Sequence, residues 1–278
     1  MPELIIYQTP QDYYNATIDY LNANQVRNNL IIGLLNAIQN KTELIPTAVF
    51  LNVLQSNNIV FTAVYNGPKI LISGDATNLI AISLAAHFFK KEGIQAFGVV
   101  GPEFLTKHFA MEYGSPHVNA RVQFLYQLND LIPFNINTEP FLQATMEDVD
   151  WITDWSYRFL IDAHMSPLPK PESLQQLTQQ RIRQGMFYKW IIHNEPVAIS
   201  ATIRKTKDVA IVGYVFTPNN FRGNGYAFSI VYSLSQLMLT SGFKQCALFA
   251  EEINPVSNYI YKKMGYHYVE TFKDYNLF

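Results

Sequence analysis

The stretch Asn129 to Pro140 (NDLIPFNINTEP) most constrains what this chain can fold into. It carries two prolines and three asparagines between two regions of strong apolar patterning. Such composition breaks helices and strands and marks a linker. It divides the chain into halves of similar length, and the order of elements on its two sides is the same. A duplicated domain follows, with boundaries at 1–134 and 135–278.

In the second half, Asp148 to Ala163 has Val149, Ile152, Trp155 and Phe159 at helical spacing. The proline-rich MSPLPKP ends that helix. Ser173 to Gln184 reads as a second helix capped by Ser173. Three runs rich in Val, Ile and aromatics follow, Met186 to Ile192, Val197 to Ile203 and Val209 to Phe216, and they read as an antiparallel meander. A Gly-rich loop opens a helix from Tyr226 to Thr240, which Gly242 ends. A strand (Gln245 to Phe249), a helix (Pro255 to Met264) and a strand (Tyr266 to Phe272) complete it. The first half repeats this order: helices at Asp12–Leu21 and Val26–Ile38; strands at Thr47–Leu54, Ile59–Tyr65 and Lys69–Ile72; then a helix (Asn78–Glu92), a strand (Gln95–Val100), a helix (Pro102–Tyr113) and a strand (Val118–Leu128). The expected class is α/β, as α+β with a mixed sheet.

Composition removes several alternatives. Over 278 residues, 49 % are hydrophobic and 15 % charged, which suits a sizeable core and not a disordered chain. A net charge of −2 leaves no electrostatic footprint for nucleic acid or an anionic membrane. The single cysteine, Cys246, excludes an intramolecular disulfide and reads as a buried structural thiol. The start MPELIIYQTP lacks the pattern of a secretory leader, and no apolar run reaches the ~18 residues of a membrane span. The expected setting is cytoplasmic. No His, Cys, Asp or Glu cluster has metal-ligand spacing, so no metal is expected.

The richest stretch is Val215-Phe216-Thr217-Pro218-Asn219-Asn220-Phe221-Arg222-Gly223-Asn224-Gly225-Tyr226-Ala227, where a strand enters a Gly-rich turn that opens a helix. Helix N-termini present unpaired N–H groups and partial positive charge. Gly223 and Gly225 permit a sharp turn and close backbone approach, and Arg222 adds a cation. Together they make a pyrophosphate cradle. A Walker loop is a poor fit because Tyr-Ala-Phe stands where Lys-Ser/Thr is needed. A dinucleotide fold is disfavoured because Phe228 replaces the third glycine and the loop follows the third strand of a meander.

A second stretch runs from Asn254 to Tyr266 (NPVSNYIYKKMGY). Asn254 suits a helix N-cap, Pro255 the first turn and Gly265 the C-terminal cap. At ~100° per residue, Asn254, Asn258 and Tyr261 share one face, with Val256, Ile260 and Met264 roughly opposite. The expectation is a polar, ligand-facing side and an apolar core side.

These two stretches, in this order and separated by one helix and one strand, resemble the signatures of the GNAT superfamily of N-acetyltransferases. Arg222-x-x-Gly225-x-Ala227 matches the Arg/Gln-x-x-Gly-x-Gly/Ala motif. Asn254 with Tyr261 and Gly265-Tyr266 matches the second. The resemblance covers the C-terminal half; the first half is similar in element order only, so the implied architecture is a tandem of GNAT-like acyl-CoA N-acyltransferase domains, the first degenerate. It implies that N–H groups from Gly223, Asn224, Gly225, Tyr226 and Ala227, with Arg222, bind the pyrophosphate of acetyl-CoA. It also implies that Val215, Phe216 and Thr217 pair with the pantetheine amides, that Asn254 and Asn258 bond pantetheine or phosphate groups, and that Tyr261 lies near the thioester sulfur.

The expected reaction is direct attack of a primary amine on the thioester in a ternary complex. Tyr261 is the candidate general acid for the leaving thiolate, and an N–H near Val215 the candidate oxyanion donor. Relatives carry an acid on the fourth strand, whereas this chain has none from Val209 to Phe216. Glu251, Glu252, Asp162, His164 and His193 are the candidates for the base. The acceptor is a small-molecule or peptide amine, and the aromatic-rich composition is compatible with a homodimer. Two other readings stand: an acyl-CoA-binding regulatory or scaffold module without turnover, and a tandem transferase with another donor, like the peptidoglycan bridge-forming enzymes. In the first half the loop equivalent, Ile72 to Asn78 (ISGDATN), has one glycine and an acid, Asp75, where an anion would sit. The first domain is therefore expected not to bind coenzyme A.

Overall fold

The computed structural model describes residues 1–40, 47–115, 120–136, 140–165 and 168–277. The expected start of a strand at 118–119, positions 137–139 of the linker and positions 166–167 of the proline-rich break lie outside the described residues. The elements are β1 (Glu3–Tyr7), α1 (Pro10–Asn22), α2 (Asn29–Gln39), β2 (Val49–Gln55), β3 (Asn58–Tyr65), β4 (Lys69–Gly74), α3 (Leu79–Lys91), β5 (Gly98–Pro102), α4 (Glu103–Tyr113) and β6 (Ala120–Leu128). They are followed by β7 (Phe141–Gln143), α5 (Val149–Asp162), α6 (Pro171–Arg183), β8 (Phe187–Ile192), β9 (Glu195–Lys205), β10 (Val209–Phe216), α7 (Tyr226–Thr240), β11 (Gln245–Glu251), α8 (Pro255–Met264) and β12 (His267–Asn276). The second series repeats the first element for element, and the class is mixed α/β.

The chain forms two compact units. One is Met1–Leu125 together with the last residues from Val269; the other is Tyr126–Tyr268. In the first, the strand order is β1-β2-β3-β4-β5-β12, with β4 and β5 parallel and β12 antiparallel to β5 through Phe272↔Pro102 to Asn276↔Gly98. Alternation along the strands sends successive residues to opposite faces. Phe50, Val64 and Leu71 pack with α1 and α2, while Leu51, Ala63, Ile70 and Ile72 pack with α3 and α4.

The second unit has the order β7-β8-β9-β10-β11, followed by the last residues of β6 from Tyr126, with β10 and β11 parallel. Ile152 of α5 and Ile182 of α6 join Phe187, Ile199, Ala201 and Phe216 on one face. On the other, α7 packs on β8 to β11 and buries Ile230, Val231, Leu234 and Met238. Corresponding turns share their chemistry. The two-residue loops Ser56–Asn57 and His193–Asn194 both have positive φ throughout, the geometry that lets a tight hairpin follow strand twist. Gly114 and Gly265 both end their helices in the left-handed conformation.

Several expectations need correction. The edge strands β1 and β7 were absent from the sequence reading, because they are five and three residues long and show no clean alternation. Ser173 is not a cap: α6 starts two residues earlier, with Pro171 in the first turn after Lys170. Pro171 has no N–H to lose there, which makes it the better starter.

Candidate active site

The site grows from an irregularity in β10. Against β9 the register runs through Gly213↔Ala201 and resumes at Phe216↔Ile199, so Tyr214 and Val215 together oppose Ser200 alone. This is a β-bulge. Tyr214 takes φ +50°, a conformation that costs a bulky residue steric strain. Packing compensates: its ring lies 5.1 Å from Phe159 and 5.6 Å from Phe187, and the Arg181 guanidinium sits 4.9 Å over it. On the other edge, the parallel ladder to β11 ends at Val212↔Leu248, although β10 continues to Phe216 and β11 to Glu251. The strands therefore part, and the main chain of Val215, Phe216 and Thr217 faces an opening with no ladder bond to β11 among the described residues. The hydroxyl oxygen of Thr217 is buried there without a hydrogen-bond partner among those residues. A buried unpaired hydroxyl is costly unless something else satisfies it.

Beyond this opening the chain makes a short 3-10 turn, Asn219–Phe221, and enters the glycine loop. Gly223 has φ +86° and Gly225 φ +79°, and a Cβ added at either would meet nothing within 4 Å. Conformation, not crowding, requires glycine, and the concavity is open. Gly225 is the N-cap of α7 and makes no side-chain cap bond. The first intrahelical bond runs from Ser229 N–H to Gly225 O, at 3.0 Å. The N–H groups of Tyr226, Ala227 and Phe228 thus have no helical acceptor, and no acid lies in that turn. These features fit a diphosphate.

Arg222 is tied down in two directions. Its Nε donates to Thr217 O at 3.0 Å and its Nη2 to Asp162 Oδ2 at 2.8 Å. Asn224 Nδ2 donates to Phe221 O at 3.1 Å. Both side chains brace the loop. Beside it a cleft of about 230 Å³ is lined by Arg158, Ile161, Asp162, Phe216 and Asn219.

The second motif folds with a different exposure from the one expected. Asn254 caps α8, its side chain accepting from Ser257 N–H at 3.0 Å. Asn258 is buried: its Nδ2 donates to Glu251 O at 2.9 Å and Asn254 O at 2.8 Å, and its Oδ1 accepts from the Tyr126 hydroxyl at 3.0 Å. That amide holds the turn from β11 into α8. Asn258, Tyr261 and Met264 form the buried face, while Val256 is 65 % exposed. The face expected to be apolar core is thus partly turned to solvent, because Tyr126 supplies the partner that lets an amide be buried. Burial pushes the Tyr261 phenol up to about 12, against a hydrogen bond with Ser257 that acts the other way. Its ring neighbours are Tyr126 and Tyr266.

Of the candidate bases, His193 forms the β8–β9 turn and His164, at φ +51°, follows α5. Glu252 is exposed, and Asp162 pairs with Arg222. Glu251 closes β11 and is the acid carried by the two parting strands. Cys246 is fully buried, and burial pushes its thiol up to about 12. Among the described residues, no group of three or more His, Cys, Asp or Glu side chains could hold a metal, and no helix is long and apolar enough to cross a membrane. The bulge at Tyr214 was missed from sequence, although Gly213 within a strand is its signal.

The corresponding loop of the first unit is differently built. Asp75 Oδ1 accepts from both the N–H and the hydroxyl of Thr77 at 2.8 Å, and these bonds hold its carboxyl below the usual range. Asn78 caps α3 by accepting from Ala81 N–H at 3.1 Å. Arg27 Nη1 donates to Gly74 O at 2.9 Å while its Nε meets Glu270 at 2.8 Å. A Cβ on Gly101 would lie 2.6 Å from Ile72 O, so β4 and β5 stay close where β10 and β11 part.

Residues 183–274 match the family model described as FR47-like protein, a GNAT-related domain. Solved structures resemble the fold along nearly the whole chain. One is an acetyltransferase of the GNAT family from Colwellia psychrerythraea, with a TM-score of 0.64 at 11 % identity over 99 % of each chain. Another is a GCN5-related N-acetyltransferase from Sphaerobacter thermophilus, with a TM-score of 0.59 at 13 % identity over 98 % of this chain and 94 % of that one. A third is a tandem GNAT protein from the clavulanic acid biosynthesis pathway, with a TM-score of 0.57 at 7 % identity over 100 % of this chain and 99 % of that one. At such identities the likeness is one of fold. No curated protein matches the sequence. The chain shares the fold of these proteins along its length, and the FR47-like match lies in its C-terminal half.

Proposed function

We propose that the second unit is an N-acetyltransferase that moves an acetyl group from acetyl-CoA to a primary amine within a ternary complex. The observation that carries this reading is the parting of β10 and β11 beyond Val212, which leads directly into the open glycine loop at the start of α7. An extended amide-bearing arm ending in a diphosphate fits both parts. Val215, Phe216 and Thr217 offer main-chain partners to the arm. Gly223 to Ala227 offer N–H groups to the diphosphate, with Arg222 bracing the loop and adding charge. Asn254 and Asn258 act as positioning residues that hold the start of α8.

In the transfer, nitrogen bonds to the acetyl carbon, the carbon–sulfur bond breaks, and the amine proton departs as the thiolate gains one. We assign the developing negative charge on the carbonyl oxygen to an N–H near Val215. We assign to Tyr261, a phenol protonated at neutral pH and pushed up to about 12 by burial, the proton that the departing thiolate takes, with the phenol reprotonated from solvent. We assign the amine's proton to Glu251. Juxtaposing two bound substrates supplies much of the remaining acceleration. The first unit, with its self-satisfied Asp75 loop, is given no coenzyme.

Titration calorimetry of acetyl-CoA into the full chain, followed by thiol release across an amine panel, tests this. One site per chain and turnover with at least one amine are expected. Tight binding without turnover on any amine would instead make the protein an acyl-CoA-binding module, and absence of binding would remove the coenzyme reading altogether.

A further inference from the structure

On the α5 and α6 face of the second unit, beside the strained residue that precedes Val215, stands a cation with no counter-charge. The Arg181 guanidinium, from the last turn of α6, sits 4.9 Å over the ring of Tyr214. Arg181 is half-buried, and among the described residues no carboxylate or carbonyl oxygen hydrogen-bonds it. The acids of the neighbouring helix are taken. In α5, Asp150 accepts from Gln175 at 3.1 Å, Asp154 pairs with Arg158 at 3.5 Å, and Asp162 with Arg222 at 2.8 Å. Arg204 of β9 adds a second positive charge nearby: burial, and then the Arg181 charge, push its guanidinium down to about 10.

Two cations held together repel, and a half-buried guanidinium without acceptors forgoes the water it gave up. The Tyr214 ring fixes where the Arg181 guanidinium stands. Its fork of N–H donors matches a carboxylate, through two parallel bonds. The reaction gives this cation a task. The glycine loop opens α7, on the sheet face opposite α5 and α6. An acyl donor laid from that loop along Val215 to Thr217 covers the α7 side of its thioester. The nucleophile takes the other side, where Tyr214 and Arg181 stand. Phe216, which lines the cleft beside Arg158, packs on this same face.

We infer that Arg181 selects the acceptor: the substrate is a small amine that carries a carboxylate, with the carboxylate on the Arg181 guanidinium and the amine turned to the thioester. The inference rests on the acetyl-transfer reading above and names the acceptor class that reading left open. The carboxylate is unchanged by the reaction. Nitrogen bonds to the acetyl carbon, the carbon–sulfur bond breaks, the amine proton goes to Glu251, and Tyr261 supplies the proton that the thiolate takes.

The test is thiol release from acetyl-CoA by the full chain with glycine, β-alanine and γ-aminobutyrate, each beside its carboxamide, and with ethylamine. The carboxamides have the less basic amines and so the larger neutral fraction at a given pH, so intrinsic reactivity runs against the expected preference. Charge-assisted hydrogen bonds predict a kcat/KM about tenfold or more higher for at least one amino acid than for its carboxamide. Arg181→Met is expected to bring that ratio to about one. Arg181→Lys, which keeps the charge without the fork, is expected to give an intermediate ratio. Both variants should bind acetyl-CoA by calorimetry about as the wild type does. Wild-type turnover of the carboxamides or ethylamine at least as efficient as that of the amino acids overturns the inference and leaves acetyl transfer standing. So does a preference that survives Arg181→Met. Loss of acetyl-CoA binding in the variants would make Arg181 a prop for Tyr214 and overturn it too. Turnover of no amine at all removes the transferase reading and the inference with it.

Discussion

Arg222 and Asp162, sixty residues apart in the chain, meet at 2.8 Å, and the same guanidinium reaches back to Thr217 O at 3.0 Å. The motif arginine therefore joins the end of α5, the end of β10 and the glycine loop. Both partners are about half exposed, so the pair contributes at most about 1 kcal/mol to stability. We expect Arg222→Ala and Asp162→Ala to leave the thermal midpoint nearly unchanged. Arg222→Ala should weaken acetyl-CoA several-fold by calorimetry, and Asp162→Ala less. A large drop in melting temperature for either variant would show that the pair is chiefly structural.

Gly225 tests the cradle. Its φ of +79° strains any L side chain by about 1–2 kcal/mol, yet the space around it is open. Gly225→Ala should therefore fold and bind acetyl-CoA weakly. Gly225→Asp places an anion among the N–H groups of Tyr226 to Phe228 and should abolish binding while circular dichroism stays native. Undiminished binding by the aspartate variant would move the diphosphate elsewhere.

Tyr261 and Glu251 separate two proton roles. Tyr261→Phe should lower kcat about tenfold to a hundredfold with little change in KM for acetyl-CoA. Because burial lifts its phenol to about 12, wild-type kcat should show no loss from phenol ionisation near pH 10. Glu251→Gln should lower kcat and remove the acidic limb of its pH profile. Unchanged kcat in both variants would leave desolvation and positioning to explain the rate.

Asp148 links pH to the stability of the second unit. Burial by itself raises its carboxyl, but hydrogen bonds from Lys189 at 2.6 and 2.8 Å and from Thr145 N–H at 2.7 Å outweigh it and hold it below its ordinary value of 3.8. A depressed folded pKa means that the contribution is complete above the unfolded value and is lost as pH falls through the folded one. Stability should therefore fall below about pH 4. Asp148→Asn should cost about 1–3 kcal/mol at pH 7 in denaturant titration and flatten that acid limb. An unchanged acid limb would assign it to other carboxylates.

Much of this protein is local and was legible as such. The helices at Tyr226 and Pro255 begin at the residues their caps and prolines indicate, because capping depends on three or four consecutive residues. The meander Phe187–Phe216 follows from runs of Val, Ile and aromatics broken by turn residues. The repeat was visible as an order of elements, since each obeys the same local rules even where side chains differ.

What local pattern could not supply is which side of an element meets which partner. The α8 stripe predicted Val256 on the core side and Asn258 on a polar, ligand-facing side; instead Val256 is exposed, and Tyr126, more than a hundred residues away, satisfies the buried Asn258 amide. The register shift at Tyr214, the parting of β10 from β11 and the Arg222–Asp162 pair likewise depend on strands and helices distant in the chain. So does the placing of Arg181 over Tyr214. By itself the sequence determined the elements, their duplicated order and the glycine loop, because short-range sterics and hydrogen bonds dictate those. Tertiary structure alone decided the opening beside that loop and the exposure of α8, because both are set by pairing and packing between segments that sequence order keeps apart.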